Sequence, residues 1–545
     1  MNGKYPRRQS HKRIRMRDTG CGIQDARCAH GARILLSKTL TFSPLLVCLL
    51  TTWFSAVFAD AADSNAQPVN IGSRLELFVD DWMIDKLDGA TLELQHPVPQ
   101  NDVFVADAPW EGNCSVITTL FHDGEVYRMY YRGLMRDMQK PLKRLPNGDG
   151  QHEYYCCAVS DDGIHWQRPS FGLFEHEGSK ENNIVAMGEK ACGFAPMLDE
   201  NPDCRADEKY KAIGGRYRLG LFVWSSPDGV HWKLMQEEPI IPWVPNDANG
   251  RFDSVNLAFW DTLRKKYFEF HRGYPNELRT VMVSTSDDFL HWEGLQYIQL
   301  GDVEPQHLYT NSTMPYYRAP HIFLAFPCRF MENRQPVTPH WDEGINDSLL
   351  MSSRDGLHFH RWDEAFLRPG QNPTRWWQRN NYIGAGMLET KSSLPGGRPE
   401  LSFYSRENYY VGAGTHAPRD IGPEPCRFRR YTLRVDGFVS VNAPYRGGEM
   451  VTRPFIFSGK KLVVNFATSG AGSIRFELQD ADGNPLPGYT LDDSPELYGD
   501  ELEQTASWID DAPSNLTDDV SRHAGNPVRL RAVLKDADLF SMQFK

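Results

Sequence analysis

Beyond residue 60 the sequence contains no apolar run long enough to cross a bilayer. It also lacks the cysteine spacing of a metal site. Seven of its ten cysteines follow residue 59 (Cys114, Cys156, Cys157, Cys192, Cys204, Cys328 and Cys426), and their only close group is the adjacent pair 156–157, which is poor ligand spacing. A zinc site is therefore not indicated, while Cys192 and Cys204 are the pair best spaced to close a short disulfide loop. A calcium loop is missing too, since DADGN at 480–484 is only a fragment of the EF-hand pattern. No cofactor is expected, and an axial calcium ion is not indicated. Positive charge is in deficit, with 59 Lys and Arg against 71 Asp and Glu. A surplus of acidic residues excludes the general phosphate-binding field of a nucleic-acid partner.

The first 60 residues differ. Ten Lys and Arg (Lys4 to Lys38) stand against Asp18 and Asp25, and the apolar run LTFSPLLVCLLTTWFSAVFA follows, with Val57 and Ala59 at the −3 and −1 positions of a cleavage site. A basic segment, an apolar segment and small residues at the cut describe a signal peptide over 1–59. The long basic segment leaves open a later start at Met16 or retention as an anchor. The expected location is periplasmic or extracellular, with no other membrane association. Without residues 1–59, 49 basic and 69 acidic residues remain, a net charge of −20.

One phrase is written four times: SDDGIHW at 160–166, SPDGVHW at 226–232, SDDFLHW at 286–292 and SRDGLHF at 353–359. Self-similarity at intervals of 60 to 67 residues means one supersecondary unit repeated. Short aromatic and β-branched runs precede each copy, among them YRMYYRG (127–133) and EYYCCAVS (153–160), or KYFEFHRG (266–273) and RTVMVS (279–284). A worn fifth unit runs through NYIGAGMLETKSSLPGGRPELSFYSREN (381–408) to RRYTLRVDGFVSV (429–441). Five units of about four strands predict an all-β chain with a five-bladed β-propeller over 74–441. About seven further short strands predict a β-sandwich over 442–545. Residues 74–97 are expected as an outer strand closing the ring or as a lead-in. In the phrase itself, Asp-Gly suits a tight turn, Ser and Asp tie that turn to its own amides, and the Trp packs back on the blade. It resembles the Asp-box turn of sialidase-type propellers, which implies a structural staple on the outer rim.

Functional residues of a propeller gather where inner strands begin, about once per blade. That rule selects Asp107, Trp110 and Glu111 in the first unit, Asp199 and Glu200 in the second and Asp253 in the third. It selects Glu304, His307, Tyr309 and Asn311 in the fourth, and Trp376, Trp377, Arg379 and Asn380 in the fifth. Second strands add Arg132, Arg272 and Arg329. Asp347 and Glu407 are expected off the axis. Carboxylates and aromatics in one funnel suit carbohydrate chemistry, because glycoside hydrolysis needs one carboxylic acid and one carboxylate across the sugar ring. Glu111 and Asp253 form the first catalytic pair and Glu304 is a further acid. Trp110, Arg132, Arg272, Tyr309, Asn311, Arg329, Trp376, Trp377 and Arg379 are the substrate-binding set. Each has an architectural alternative: Glu111 as a loop salt bridge, Asp253 as a turn cap, the Trp pair as core, the arginines as strand braces.

Together, the leader, five blades, DG-x-HW turns, PWE, FDS and a C-terminal sandwich resemble the furanosidase-type five-bladed propellers of glycoside hydrolase families 32, 43 and 68, in particular an exported family-32-like branch. The resemblance covers residues 74–545 in architecture and implies funnel-mouth carboxylates acting on a poly- or oligosaccharide. Family 32 carries W-M-N-D-P-N-G, R-D-P and E-C strings, and none occurs here. The expected function is that of an exported glycoside hydrolase. A non-catalytic glycan-binding propeller is the alternative, and it would not need two matched carboxylates. A sialidase reading is weaker, since sialidases have six blades and an arginine triad.

Overall fold

The computed structural model describes residues 67–135, 153–244, 252, 254–334, 344–377, 379–409, 425–510 and 512–545. Asn65–Lys545 form one compact unit. Within it lie five four-stranded antiparallel sheets, the blades of a five-bladed β-propeller. Blade I runs from Val116–His122 through Tyr127–Leu134 and Glu153–Ser160 to Ile184–Met187. Blade II comprises Ala195–Leu198, Tyr210–Arg216, Gly220–Ser226 and Lys233–Leu234. Blade III comprises Leu257–Asp261, Lys266–Gly273, Thr280–Ser286 and Trp292–Tyr297. Blade IV is Met314–Tyr316, Ala319–Ala325, Met351–Ser353 and Phe359–Arg361, with a small side sheet that includes Cys328–Met331 and Ile345–Ser348. The inner strand of blade I touches the inner strands of blades II and V, as a ring requires.

Blade V takes three strands from its own stretch of chain, Leu388–Thr390, Glu400–Glu407 and Cys426–Arg434. Its outermost strand is Val98–Ala106, which pairs antiparallel with Cys426–Arg434 from Ala106 opposite Cys426 to Val98 opposite Thr432. The ring is thus closed by a strand just after residues 74–97. Those residues go elsewhere. Val69–Gly72, Glu76–Leu77, Ile84–Asp88 and Thr91–Leu94 join six C-terminal strands in a ten-stranded sheet. Its two long strands, Leu462–Asp480 and Pro527–Phe544, pair along most of their length with a break after Thr468. On either side of that break Leu462, Val464 and Phe466, then Ile474, Phe476 and Leu478, alternate into one core with Ile71, Met83 and Met450. The sheet therefore folds over a single apolar centre as a sandwich. Leu75, Leu77, Val79 and Leu94 enter a second core with Leu324, Phe326 and Phe403 of the propeller. This sequestered apolar surface ties residues 74–97 to both the sandwich and the propeller.

The repeated phrase forms the third-to-fourth strand turn of its blade. In blade II the Gly229 amide donates to Ser226 Oγ at 2.9 Å, and the Val230 and His231 amides donate to Asp228 Oδ1 at 2.9 and 2.8 Å. His231 Nδ1 lies 2.7 Å from Asp228 Oδ2, and the Trp232 indole donates to the Gly229 carbonyl at 3.1 Å. Asp162, Asp288 and Asp355 repeat the same set of bonds. Two of the turns also receive a hydrogen bond from the neighbouring blade. Tyr130 of blade I donates to the Gly229 carbonyl at 2.8 Å, and Tyr404 of blade V donates to the Gly163 carbonyl. Gly229 has φ +76°, and a Cβ there would stand 2.6 Å from Tyr130 Oη, so only glycine fits. The phrase is a staple within and between blades.

Register separates these staples from the place where inner strands begin. In blade I Tyr127 faces Ser160, while five residues along the same strand Arg132 faces Tyr155 and Val116, the first residue of the inner strand. At about 3.3 Å per residue the two ends of a blade lie roughly 17 Å apart.

Among the described residues no cysteine is bridged. Cys192 precedes the inner strand Ala195–Leu198 and Cys204 follows it, so an extended strand holds apart the pair expected to form a disulfide. No described helix is long and apolar enough to cross a membrane.

Candidate functional site

The second strands of blades I, III and V end alike. Tyr130-x-Arg132, Phe270-x-Arg272 and Tyr404-x-Arg406 each place an aromatic and, two residues on, an arginine on one face of the strand. In each blade the aromatic packs toward the following blade: Tyr130 and Tyr404 on its turn, Phe270 on Phe359. The arginine continues that face to the end where inner strands begin.

There the arginines alternate with tyrosines in a continuous belt. Arg132 Nη2 donates to Tyr409 Oη at 2.6 Å. The Arg406 guanidinium lies 4.0 Å from the Tyr409 ring centre and 3.9 Å from that of Tyr382. Tyr382 and Tyr309 have ring centres 5.7 Å apart. Arg272 sits 4.4 Å from the Tyr309 ring and donates to the Tyr309 carbonyl at 2.8 Å. Arg279 approaches the same ring at 5.2 Å. Such contacts combine cation–π attraction with flat stacking surfaces. Burial, reinforced by Cys328 and Tyr309, pushes the Tyr382 hydroxyl far above its ordinary range, so it remains protonated. Beside the belt, Glu153 Oε1 accepts from Tyr155 Oη at 2.9 Å and from Cys192 Sγ at 3.4 Å, and lies 3.8 Å from Arg132. His307 borders the Arg279 end, its pKa lowered by burial and by Arg279.

The residues expected from sequence fall on both sides of this belt. Arg132, Arg272 and Tyr309 belong to it, and Arg379 supplies the carbonyl to which Arg406 Nε donates. Asn311 braces blades III and IV, donating to the Val255 carbonyl at 3.1 Å. Arg329 is held in a fork by Asp347 at 2.9 and 2.7 Å. Trp376 donates to the Gly370 carbonyl at 2.7 Å, while Trp377 is buried in the fold. Asn380 donates to the Thr374 carbonyl and accepts from the Tyr409 amide, so it positions a belt residue.

Of the carboxylates expected to act together, Glu111 and Glu304 lie among the described residues and Asp253 does not. Glu111 is fully buried and accepts from Arg168 Nε at 2.8 Å, Arg168 Nη2 at 3.1 Å, Tyr131 Oη at 2.5 Å and the Ala108 amide at 2.9 Å. Arg168 also reaches Asp107 at 3.1 Å and stacks 4.2 Å from the Phe104 ring of blade V. Trp110 joins the same network through Asn183 at 2.8 Å, and Asn183 in turn donates to Tyr131. Glu111 is thus the buried half of an ion pair that locks blade I to blade V, the loop salt bridge left open by its sequence. Glu304 is exposed on the approach to blade IV. Asp253 lies outside the described residues. Asp199 is buried on Lys211 and accepts from Tyr267 at 2.8 Å, whereas its loop reads as solvated. Glu407 is held by Arg375 at 3.2 Å and Arg429 at 2.8 Å.

Arg406, Tyr382, Tyr409 and Glu153 escaped the sequence reading. Arg406 was findable, because YSRE repeats the register of YYRG and FHRG. The tyrosines were not, since Tyr382 and Tyr409 flank their blade's strands without a repeated neighbour. Among the described residues no group of three or more His, Cys, Asp or Glu side chains is arranged to hold a metal ion. The DADGN stretch is a hairpin turn in which Asp480 accepts from the Asp482 and Asn484 amides.

No family model matches the chain, and no curated protein matches it. Solved structures similar to it include a glycoside hydrolase family 43 arabinoxylan arabinofuranohydrolase from Bacillus subtilis in complex with cellotetraose, at 12% identity and TM-score 0.38, covering 82% of this chain and 96% of that one. A family 32 β-fructofuranosidase from Bombyx mori is similar at 9% identity and TM-score 0.39, covering 82% and 94%. An N-acetylgalactosamine deacetylase from F. plautii in complex with blood group B trisaccharide is similar at 13% identity and TM-score 0.36, covering 64% and 94%.

Proposed function

We propose that this protein is an exported, glycan-acting propeller that holds a saccharide against the arginine–tyrosine belt. The belt itself carries the reading. Sugar rings stack their C–H faces on tyrosine, and arginine forks bind ring oxygens, hydroxyls or acidic groups in fixed geometry. Four of the five blades contribute to the belt, at the end of the propeller where inner strands begin; Arg132, Arg279 and Tyr309 are its part-exposed members, and Arg272, Tyr382, Arg406 and Tyr409 are buried behind them. Binding alone needs no more than this.

Hydrolysis of the bound glycan is the second reading, and Glu153 favours it. It borders the belt 3.8 Å from Arg132 and accepts from Tyr155 and Cys192. One acid is half of a hydrolytic pair, which needs its second carboxyl group about 5–9.5 Å away. Asp253, expected from sequence as the partner of Glu111, lies outside the described residues.

The test is incubation of the purified chain with a panel of poly- and oligosaccharides, measuring both retention and released reducing ends. Retention without release supports the binding propeller. Release that Glu153→Gln abolishes, with folding intact, supports the hydrolase. A chain that neither retains nor cleaves any saccharide refutes both. Export is tested by sequencing the amino terminus of the protein recovered outside the cytoplasm, where a start at Asp60 is expected.

A further inference from the structure

We infer that the saccharide engaged at this belt is anionic, its carboxylate or sulfate group seated among Arg132, Arg406 and Arg272. This rests on the saccharide-binding reading above and narrows it to a class of ligand.

The argument begins with Arg406, which is only 4% exposed. Three arginines buried to the same degree elsewhere in the fold hold a carboxylate, Arg361 with Asp363 at 2.7 Å, Arg375 with Glu407 at 3.2 Å and Arg430 with Glu400 at 2.7 Å, while the equally buried Arg272 meets Tyr309 within the belt. That is the ordinary rule, because a buried charge without a counter-charge is strongly unfavourable. Arg406 departs from it. Among the described residues its partners are the Arg379 carbonyl and the faces of Tyr382 and Tyr409, and no described carboxylate pairs with it. Ring faces offset part of a cation's charge. They also cover the flat sides of the guanidinium, and the acceptors that suit an arginine lie in its plane, where it takes carboxylate or sulfate oxygens two at a time.

Two further observations point the same way. Arg132 and Arg272 repeat the register of Arg406 and meet it through Tyr409 and through Tyr382 and Tyr309, so three guanidinium groups share one wall. The chain as a whole is acidic, at −12. A cluster of arginines within such a chain is a local attractor for negative groups rather than part of a general basic surface. A neutral sugar would use the tyrosine faces and leave the charge of Arg406 unanswered.

The full chain is applied to an array carrying three arms: uronate-bearing oligosaccharides (oligogalacturonates, alginate oligosaccharides), sulfated oligosaccharides (carrageenan fragments) and neutral ones (xylo-, arabino- and fructo-oligosaccharides). The expected result is binding confined to one anionic arm, and that arm distinguishes carboxylate from sulfate. For the bound glycan, titration calorimetry should show affinity falling as NaCl rises from 50 to 300 mM. Arg406→Gln and Arg132→Gln should each weaken it at least tenfold. Arg132 has a part-exposed side chain, so its variant carries the test should Arg406→Gln fail to fold. Arg216→Gln is the control. Arg216 ends the second strand of blade II on the face turned toward blade I and pairs with Glu189 at 2.8 Å, so its loss should leave affinity unchanged. Binding of neutral glycans as tight as that of anionic ones, or indifference to both arginine variants, overturns the charge requirement while sparing the saccharide reading. An array without any bound glycan overturns the two together.

Discussion

The two ends of each blade are built on opposite plans. At the turn end, four blades repeat one solution almost atom for atom, with Ser, Asp, Gly or Phe and His in fixed register. At the other end three blades repeat an arginine in register, but the partners differ from blade to blade: a tyrosine hydroxyl for Arg132, two ring faces for Arg406, and in blade IV an aspartate fork for Arg329. A repeated local motif solves a problem that every blade shares, namely stopping one strand and receiving the neighbouring blade. Unrepeated residues on a repeated frame are where a ligand can be addressed asymmetrically. Chemistry should therefore be sought where the repeat fails, with one qualification from Glu111: an unrepeated, buried carboxylate can also be a lock between the first and last blades.

The largest test of this contrast concerns that lock. Arg168→Met leaves Glu111 buried without its partner and is expected to cost about 3–5 kcal/mol in urea unfolding. Glu111→Gln should also lower stability. Were Glu111→Gln to remove glycan processing while leaving the unfolding midpoint unchanged, the residue would belong to the chemistry instead. Next comes the interblade hook. Gly229→Ala forces a Cβ against Tyr130 in a left-handed conformation, at about 2–4 kcal/mol. Gly294→Ala, at φ +69° with nothing within 4 Å of its Cβ, isolates the backbone part at about 1–2 kcal/mol.

A pH effect follows from the staples. Burial disfavours the charged forms of Asp228 and Asp288, yet hydrogen bonds from the following His and its neighbouring amide hold both pKa values down to about 2, below the ordinary 3.8. A folded-state pKa below the unfolded one contributes stability that is present above pH 4 and lost as pH falls toward 2. The melting temperature should drop over that window, and less steeply in Asp228→Asn, which has already lost one titrating staple. The smallest effect should come from the other end. Tyr409→Phe removes one hydrogen bond of the belt, expected to cost about 0.5–1.5 kcal/mol, while changing glycan affinity more than any staple variant of equal stability.

The turn end was legible in sequence because its period and its chemistry are local: seven residues specify one turn, and the reason for each is visible within those seven. The propeller followed from counting them. What escaped notice depended on partners far along the chain. Arg168 stands 57 residues after Glu111, so nothing near P-W-E announces that its carboxylate is already claimed. Residues 74–97 carry an alternation that suits any half-covered sheet, and only the apolar surface of the C-terminal strands decides which sheet they join. The belt lay between these extremes. Its arginines sit at a repeated register that comparison of the second strands exposes, but its tyrosines arrive from flanking loops whose paths no periodicity dictates.

The closing strand has a consequence for how such a chain is made. Val98–Ala106 finds its partner more than 300 residues later, as the register of Asp102 with Arg429 shows, and Glu76 pairs with Met542 near the carboxyl terminus. Blades I to IV can zip up one after another from neighbouring hairpins, but the circle stays open until Cys426–Arg434 emerges and the sandwich until the last strand, Pro527–Phe544. Contacts of such span slow the final step of folding and leave long strand edges waiting for it. A polypeptide threaded amino end first into its compartment would thus hold its first strands unpaired through most of its passage. Loss of even the final dozen residues would strip Glu76–Leu77 and Leu462–Thr468 of their shared partner strand at once.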